Sequence, residues 1–389
     1  MKFKLHAFAA LAALSSFGAM AADNIQVQDS AASTQESISD QRTTKFKPIV
    51  LPFYDPSVDA GIMAVPLIAF YPDDNDLVSD ASTIAFPMFY TSSESYITKV
   101  AADIILFEDK FRFRGEGGFA STNLDLMGVG TNKEEFDLDA DFYYKVFDDI
   151  YVGIGCTWKK TRYNADDSSD QGKLTGMGFS DQYGTDTGAR ISMLWDTREH
   201  YYNSRGGFMW DLRYETHAEW LGNDADNAYD SIFTDYRHYI SIDDNPDRVI
   251  ATKLVGRYLI DAENAPSSAH TTFGRQGKEV QRGFVLGDYV AANMVSFEAE
   301  YKHALSDTGN AILDKSVLVA IGGAGKSFGM RYINGQPVDE KFKDSDWLGM
   351  VGVGYQYEIL PYERINIRAD VTYNTDGEVI AYFGVGQSI

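Results

Sequence analysis

The sequence predicts an all-β protein, a transmembrane antiparallel β-barrel of sixteen strands. Three observations predict it. Hydrophobicity alternates with period two, in segments of about ten residues broken by Gly, Asn, Asp and Ser clusters. After residue 45 no uncharged apolar stretch approaches the roughly 18 residues of a membrane helix. The chain also opens with an export signal, and in lipid a spanning chain without helices satisfies its backbone only as a closed barrel.

The elements follow in order. In MKFKLHAFAALAALSSFGAMA, Lys2 and Lys4 form a positive start, Leu5 to Phe17 an apolar core, and Ala19-Met20-Ala21 a small-residue cleavage site. Residues 1–21 are therefore expected to be a removed signal peptide. Residues 22–45 are polar and aperiodic, as expected of a flexible periplasmic tail. The barrel is expected over 46–389.

Its strands read near 46–54, 59–71, 82–92, 95–107, 111–120, 134–147, 150–162, 188–198, 206–219, 230–242, 248–260, 289–304, 314–327, 346–358, 363–374 and 378–388. The even number places both ends on the periplasmic side. Long connections, 121–133, 163–187, 220–229, 261–288 and 328–345, then lie outside, and mostly tight turns such as Phe147-Asp148-Asp149 lie inside. Phe136, Leu138, Ala140, Phe142, Tyr144 and Val146 alternate with Asp137, Asp139, Asp141 and Lys145. Phe208, Trp210, Leu212 and Tyr214 alternate likewise with Asp211, Arg213 and Glu215. A soluble β-sandwich alternates too. Three features favour the barrel: charges of both signs on the polar face, alternation of short and long connections, and aromatics near strand ends (Phe70 and Tyr71, Tyr143 and Tyr144, Tyr201 and Tyr202).

Composition excludes other classes. With 34 Lys and Arg against 57 Asp and Glu, net charge is -23, so nucleic acid is not an expected partner. The single Cys156 excludes a disulfide framework. The six histidines show no metal spacing, and Gly322–Gly329 (GGAGKSFG) lacks the spacing of a phosphate loop. Neither catalysis nor a cofactor or metal is expected.

Three motifs add a family. One is Gln281-Arg282-Gly283-Phe284 with Gly287-Asp288-Tyr289 and Glu300-Tyr301-Lys302. The second is Trp195-Asp196-Thr197-Arg198 with Ser204-Arg205-Gly206-Gly207-Phe208, and the third is Tyr382-Phe383-Gly384-Val385-Gly386-Gln387. Over 46–389 the chain resembles the outer-membrane assembly and secretion barrel superfamily, also called bacterial surface antigen proteins. That superfamily includes the barrel assembly factor, the translocation assembly factor and two-partner-secretion transporters. The resemblance implies a long extracellular loop, tipped by Arg-Gly-Phe, that folds back into the barrel lumen. It also implies polypeptide-transport-associated domains before the barrel, where this sequence has the tail 22–45. The acidic residue usual in the strand after Glu300 is replaced by Ala320–Gly325, so Glu298 or Glu300 is expected to answer the loop arginine.

A buried arginine keeps its charge and needs a carboxylate or water. Glu298, Glu300 and Lys302 alternate with Phe297, Ala299 and Tyr301 and so point inward if the latter face lipid. An Arg282–Glu300 pair is expected to dock the loop through Arg282, Gly283 and Phe284. Asp196, Arg198, Gly206 and Gly207 are expected to brace a periplasmic turn. Pro48 and Pro52 share parity, so both missing N–H groups point to one neighbour, either the last strand or the second. In the former case the first–last seam, softened by Gly384 and Gly386, is weak and opens laterally to lipid.

The expected function is assistance in insertion or translocation of proteins or lipid at the outer membrane. The implied partners are outer-membrane lipid or lipopolysaccharide, client outer-membrane or secreted proteins, and a separate periplasmic partner. The main alternative is a passive channel, with Asp137, Asp139, Arg213, Arg237 and Arg368 setting selectivity. A surface adhesive protein acting through acidic loops is a third.

Overall fold

The computed structural model describes residues 44–389 except 74, 77–78, 201–202, 275–280, 334–335, 361–363 and 388. The expected signal peptide, the tail up to residue 43, and Tyr201 and Tyr202 lie outside the described residues.

Sixteen antiparallel strands form one closed wall. They are β1 (Lys45–Asp55), β2 (Asp59–Phe70), β3 (Ser82–Ala85 and Met88–Thr91), β4 (Tyr96–Leu106), β5 (Phe111–Leu126), β6 (Val129–Phe147), β7 (Ile150–Ala165) and β8 (Gly184–Asp196). After these come β9 (Gly207–His217), β10 (Tyr229–Ile242), β11 (Asn245–Ile260), β12 (Tyr289–Ala304), β13 (Ser316–Ile333), β14 (Leu348–Leu360), β15 (Ile365–Asn374) and β16 (Val379–Val385). Two short segments, Thr271–Phe273 and Gln336–Glu340, pair with β12 and β13 above the wall. The two halves of β3 share one register; Pro87, which has no N–H, interrupts the ladder while its carbonyl still accepts from Lys99 N.

Period-two alternation is what folds this chain into a wall. On β6, Phe136, Leu138, Phe142 and Tyr144 are exposed on the outer face, whereas Asp137, Asp141 and Tyr143 are buried inside. The same outward apolar face recurs at Val152 and Ile154, Ile250 and Leu254, Phe297 and Tyr301, and Val351 and Val353. No helix among the described residues is long and apolar enough to cross a membrane, a statement that does not bear on strands.

Three expectations about connections need correction, one of them residues 328–345, where β13 runs on to Ile333 and pairs with Gln336–Glu340 as a hairpin. Residues 121–133 are not a loop: β5 and β6 stay in register to Leu126–Val129 around a Met127-Gly128 turn with φ of 52° and 82°. Two successive residues with positive φ make a tight hairpin turn, so Thr122–Asn132 extend the hairpin above the wall. The chain is also not free of helix. Ser168–Gly176 forms α1 in the β7–β8 connection, capped by Asp167, whose side chain accepts from Ser169 N and Asp170 N.

Candidate functional site in the barrel lumen

The β11–β12 connection turns into the lumen at Gln281–Phe284. Arg282 is only 1% exposed. Its backbone N and Nε donate to Glu298 at 3.0 and 3.1 Å, and Nη2 lies 2.6 Å from Glu298 and in contact with Glu300. Its Nη1 donates to Asp370 at 2.8 Å. Alternation on β12 aims Glu298, Glu300 and Lys302 inward, and β15, three strands along the same side of the wall, supplies Asp370 and Arg368. Lys302 stands 3.3 Å from Glu300, Arg368 3.5 Å from Asp370, and Lys253 is the cross-strand neighbour of Glu298. Cations and carboxylates thus alternate around one buried guanidinium, the arrangement that makes burial of charge tolerable. The sequence reading missed Asp370.

The rest of the tip is fixed by shape. Gly283 has φ of 93°, and a Cβ there would sit 2.7 Å from the Met350 Cβ. Its N donates to the Tyr382 hydroxyl at 2.9 Å, and its carbonyl accepts from Asn374 at 2.7 Å. Phe284 is buried against Phe273 (5.4 Å between ring centroids) and Tyr289 (5.9 Å), in a core with Val255, Val319, Ile321 and Met350. Gln281, fully buried, donates to Leu348 O at 3.1 Å. The tip therefore touches β12, β14, β15 and β16, all on one side of the barrel.

The lumen charges named for a channel are paired. Asp137 lies 2.8 Å from Lys99 and Asp139 2.8 Å from Arg190. Arg213 lies 2.6 Å from Asp211, and Arg237 2.5 Å from Asp235.

The seam is of another kind. Ala60 O accepts from Ser92 N and Pro66 O from Phe86 N, so the even-numbered residues of β2 address β3. The odd-numbered ones address β1 at Phe53, Leu51, Ile49 and Lys47. That leaves the even-numbered residues of β1 to face β16. Tyr54 is one, and Tyr54–Phe383 is the one register pair across this seam among the described residues, whereas β1 pairs with β2 along its whole length. Pro48 and Pro52 belong to the same set and bring no N–H. β16 ends at Val385. Gly386, with φ of 88°, turns the chain inward, and Ile389 is buried with Tyr239, Val249 and Ala251 while its O accepts from Lys302 at 3.3 Å. Gly384 has no close neighbour and an ordinary backbone; only Gly386 carries conformational weight.

At the β8–β9 turn, Arg198 grips Asp196 with Nε and Nη2 at 2.8 and 2.7 Å. Gly207 has φ of 83°, and a Cβ there would lie 2.3 Å from Thr197 O, whereas one at Gly206 would meet nothing within 4 Å. Glu199 accepts from Arg205 N, Ser204 and Arg364. Burial opposes ionisation there, but these donors hold its carboxyl below the usual range. Among the described residues no group of three or more His, Cys, Asp or Glu could hold a metal ion.

Residues 130–317 match the Omp85 superfamily domain. Among solved structures the chain is similar to BamA from Haemophilus ducreyi lacking POTRA domains 1-3 (TM-score 0.58, 11% identity, covering 88% of this chain and 75% of that one). It is similar also to CdiB from Escherichia coli (TM-score 0.56, 10% identity, 90% and 68%) and to CdiB from Acinetobacter baumannii (TM-score 0.52, 10% identity, 90% and 66%). At these identities the likeness is one of fold. No curated protein matches.

Proposed function

The chain carries an Omp85 superfamily domain within an outer-membrane β-barrel, and from that premise we propose that it assists insertion or translocation of proteins or lipid through its β1–β16 seam. The carrying observation is the contrast at that seam: one register pair, two prolines and an inward-turning last strand, in a wall otherwise zipped along its length. Each missing ladder bond removes only about 0.5–1.5 kcal/mol of net stability, but together they leave this edge the cheapest place to part. In this reading the Arg282 cluster locks the loop as an internal plug, and Asp196, Arg198 and Gly207 brace the turn below. The acceptors of this work are client proteins or lipid, with a periplasmic partner delivering them; the barrel performs no catalysis. Residues 1–21 are removed on export, and residues 22–45 lead into the barrel as a periplasmic tail.

Plugging disfavours the passive-channel reading, since the lumen is occupied and its charges are paired. Planar-bilayer recordings test the two. Our reading expects low conductance for the intact chain and a large open conductance after deletion of the loop segment 281–287. Wide ion flow through the intact chain would support the channel instead. Depletion in cells should lower the levels of other outer-membrane proteins or disturb lipid distribution, and unchanged levels of both would contradict the proposal.

A further inference from the structure

The first three strands depart from the pattern of most of the wall. On most other strands one face is apolar and the other carries charges, yet from Pro48 to Tyr54 and from Ala60 to Tyr71 there is no charged residue at all. The outer face carries Phe46, Val50, Ile62 and Tyr90, all strongly exposed. By alternation Ile49, Leu51 and Phe53 of β1, Met63, Val65 and Leu67 of β2, and Phe89 of β3 face the lumen. Phe53 and Phe89 pack with ring centroids 5.2 Å apart and planes tilted by 59°.

These inner residues are all half-exposed. On β11 and β13 the equivalent apolar residues, Val255, Val319 and Ile321, are buried beneath the loop tip. Near the first strands the described part of the loop makes one bond, Leu286 N to the Ser57 hydroxyl at 2.9 Å, at the extracellular rim. Among the described residues the loop therefore does not cover the apolar inner wall. It is continuous, around the sparsely paired edge of β1, with the outer face that lies in the bilayer. At its periplasmic foot stand Lys45 and Lys47, on the same inward parity. Strand rise of about 3.3 Å per residue sets Phe53 about 20 Å above Lys47, a span comparable to an acyl chain in one leaflet of a hydrocarbon core about 30 Å thick.

We propose that the inner face of β1–β3 is a phospholipid site, with the lipid phosphate at Lys45 and Lys47 and an acyl chain along Ile49, Leu51, Phe53, Met63 and Val65. Apolar surface on a wet lumen wall is unfavourable by about 25 cal/mol for each Å², and an acyl chain entering past β1 removes that surface without leaving hydrocarbon. Positive charge at the foot selects an anionic phosphate over a neutral apolar molecule. The proposal rests on the seam reading above and gives it a substrate class, a glycerophospholipid of the periplasmic leaflet.

The test is nitroxide accessibility in phosphatidylethanolamine–phosphatidylglycerol vesicles, on the full chain with Cys156→Ser. Labels are placed at Val65→Cys on the inner wall, Ile62→Cys on the outer face and Lys159→Cys on the wet lumen wall. The expected result is an oxygen-to-nickel-chelate ratio at Val65 close to that at Ile62 and several times that at Lys159. A ratio like that at Lys159 means water fills this wall and overturns the proposal. Shielding from both reagents means protein covers it, whether a second copy or a segment of this chain, and overturns it too. Lys45→Gln with Lys47→Gln should lower the phosphatidylglycerol retained through detergent purification, and unchanged retention contradicts the headgroup assignment. Repeating the label measurement with Tyr54→Cys and Phe383→Cys joined by a disulfide separates the two readings. A lipid-like ratio that survives a locked seam, in a protein whose function also survives, keeps the site and removes the gate. Loss of function with a wet Val65 keeps the gate and removes the site.

Discussion

The two sides of the lumen are built on opposite principles. From β11 to β16 the inner wall, part apolar and part charged, is packed and closed over by the loop tip, with Arg282 held by Glu298, Glu300 and Asp370. From β1 to β3 it is apolar, half-exposed and bounded by an edge with one register pair. A buried charge cluster tolerates no half-measures, because removing one partner strands the others. An apolar wall with few bonds tolerates separation. The molecule thus concentrates rigidity where the plug sits and leaves compliance where lipid meets β1, with Tyr382 of β16 fastening the plug beside the compliant edge.

The contrast can be broken most severely at Arg282. Arg282→Ala leaves three buried carboxylates facing one another and should cost about 3–5 kcal/mol, read as a lower unfolding midpoint and as ion conductance in planar bilayers. Adding Glu298→Gln should restore part of both. Equal losses in the single and double variants would mean the cluster does not act as a unit. Next comes Gly283→Val, where positive φ and the 2.7 Å approach to Met350 combine strain and overpacking of about 2–3 kcal/mol; loop release should show as protease cleavage within 261–288. Gly207→Ala meets Thr197 O at 2.3 Å and should cost about 1–2 kcal/mol without raising conductance, whereas Gly206→Ala should be close to neutral.

The mildest effect is one of pH. In the β4–β5 turn, burial opposes ionisation of Asp109, but Arg112, Tyr151 and Lys145 hold its carboxyl below its ordinary value of 3.8. A depressed carboxylate stabilises the fold fully at neutral pH, and the contribution fades as pH falls below the unfolded value. The unfolding midpoint should therefore drop on acidification below about pH 4, and Asp109→Asn should flatten that slope while lowering the midpoint at pH 7.

Much of this was legible in the sequence. Alternation alone located the sixteen strands and aimed Glu298 and Glu300 inward, because side-chain direction along a strand is a local property. Pro48 and Pro52 announced a shared direction, but which neighbour they addressed depended on hydrogen bonds of β2. Asp370 was out of reach: it lies 88 residues from Arg282 and meets it only because the wall closes and the loop descends. The β5–β6 extension was hidden because its apolar residues Leu124, Leu126 and Val129 flank the Met127-Gly128 turn and pack inward against Leu174 and Phe179 of the neighbouring connection. The apolar inner wall was present in the letters from Pro48 to Tyr71, and only the placement of the loop tip against β12 to β16 left it uncovered among the described residues.

The central claim is that the β1–β16 edge must part for the protein to work. Tyr54 and Phe383 are directly opposed, and facing residues of an antiparallel pair lie about 4.5–5.5 Å apart at Cα, within disulfide range. In cells depleted of the native chain, the Tyr54→Cys/Phe383→Cys barrel, with Cys156→Ser, is compared with and without reductant for its support of outer-membrane protein levels and lipid distribution. The account predicts loss of both when the disulfide is closed and recovery when it is reduced. Full activity with the seam demonstrably locked would contradict it.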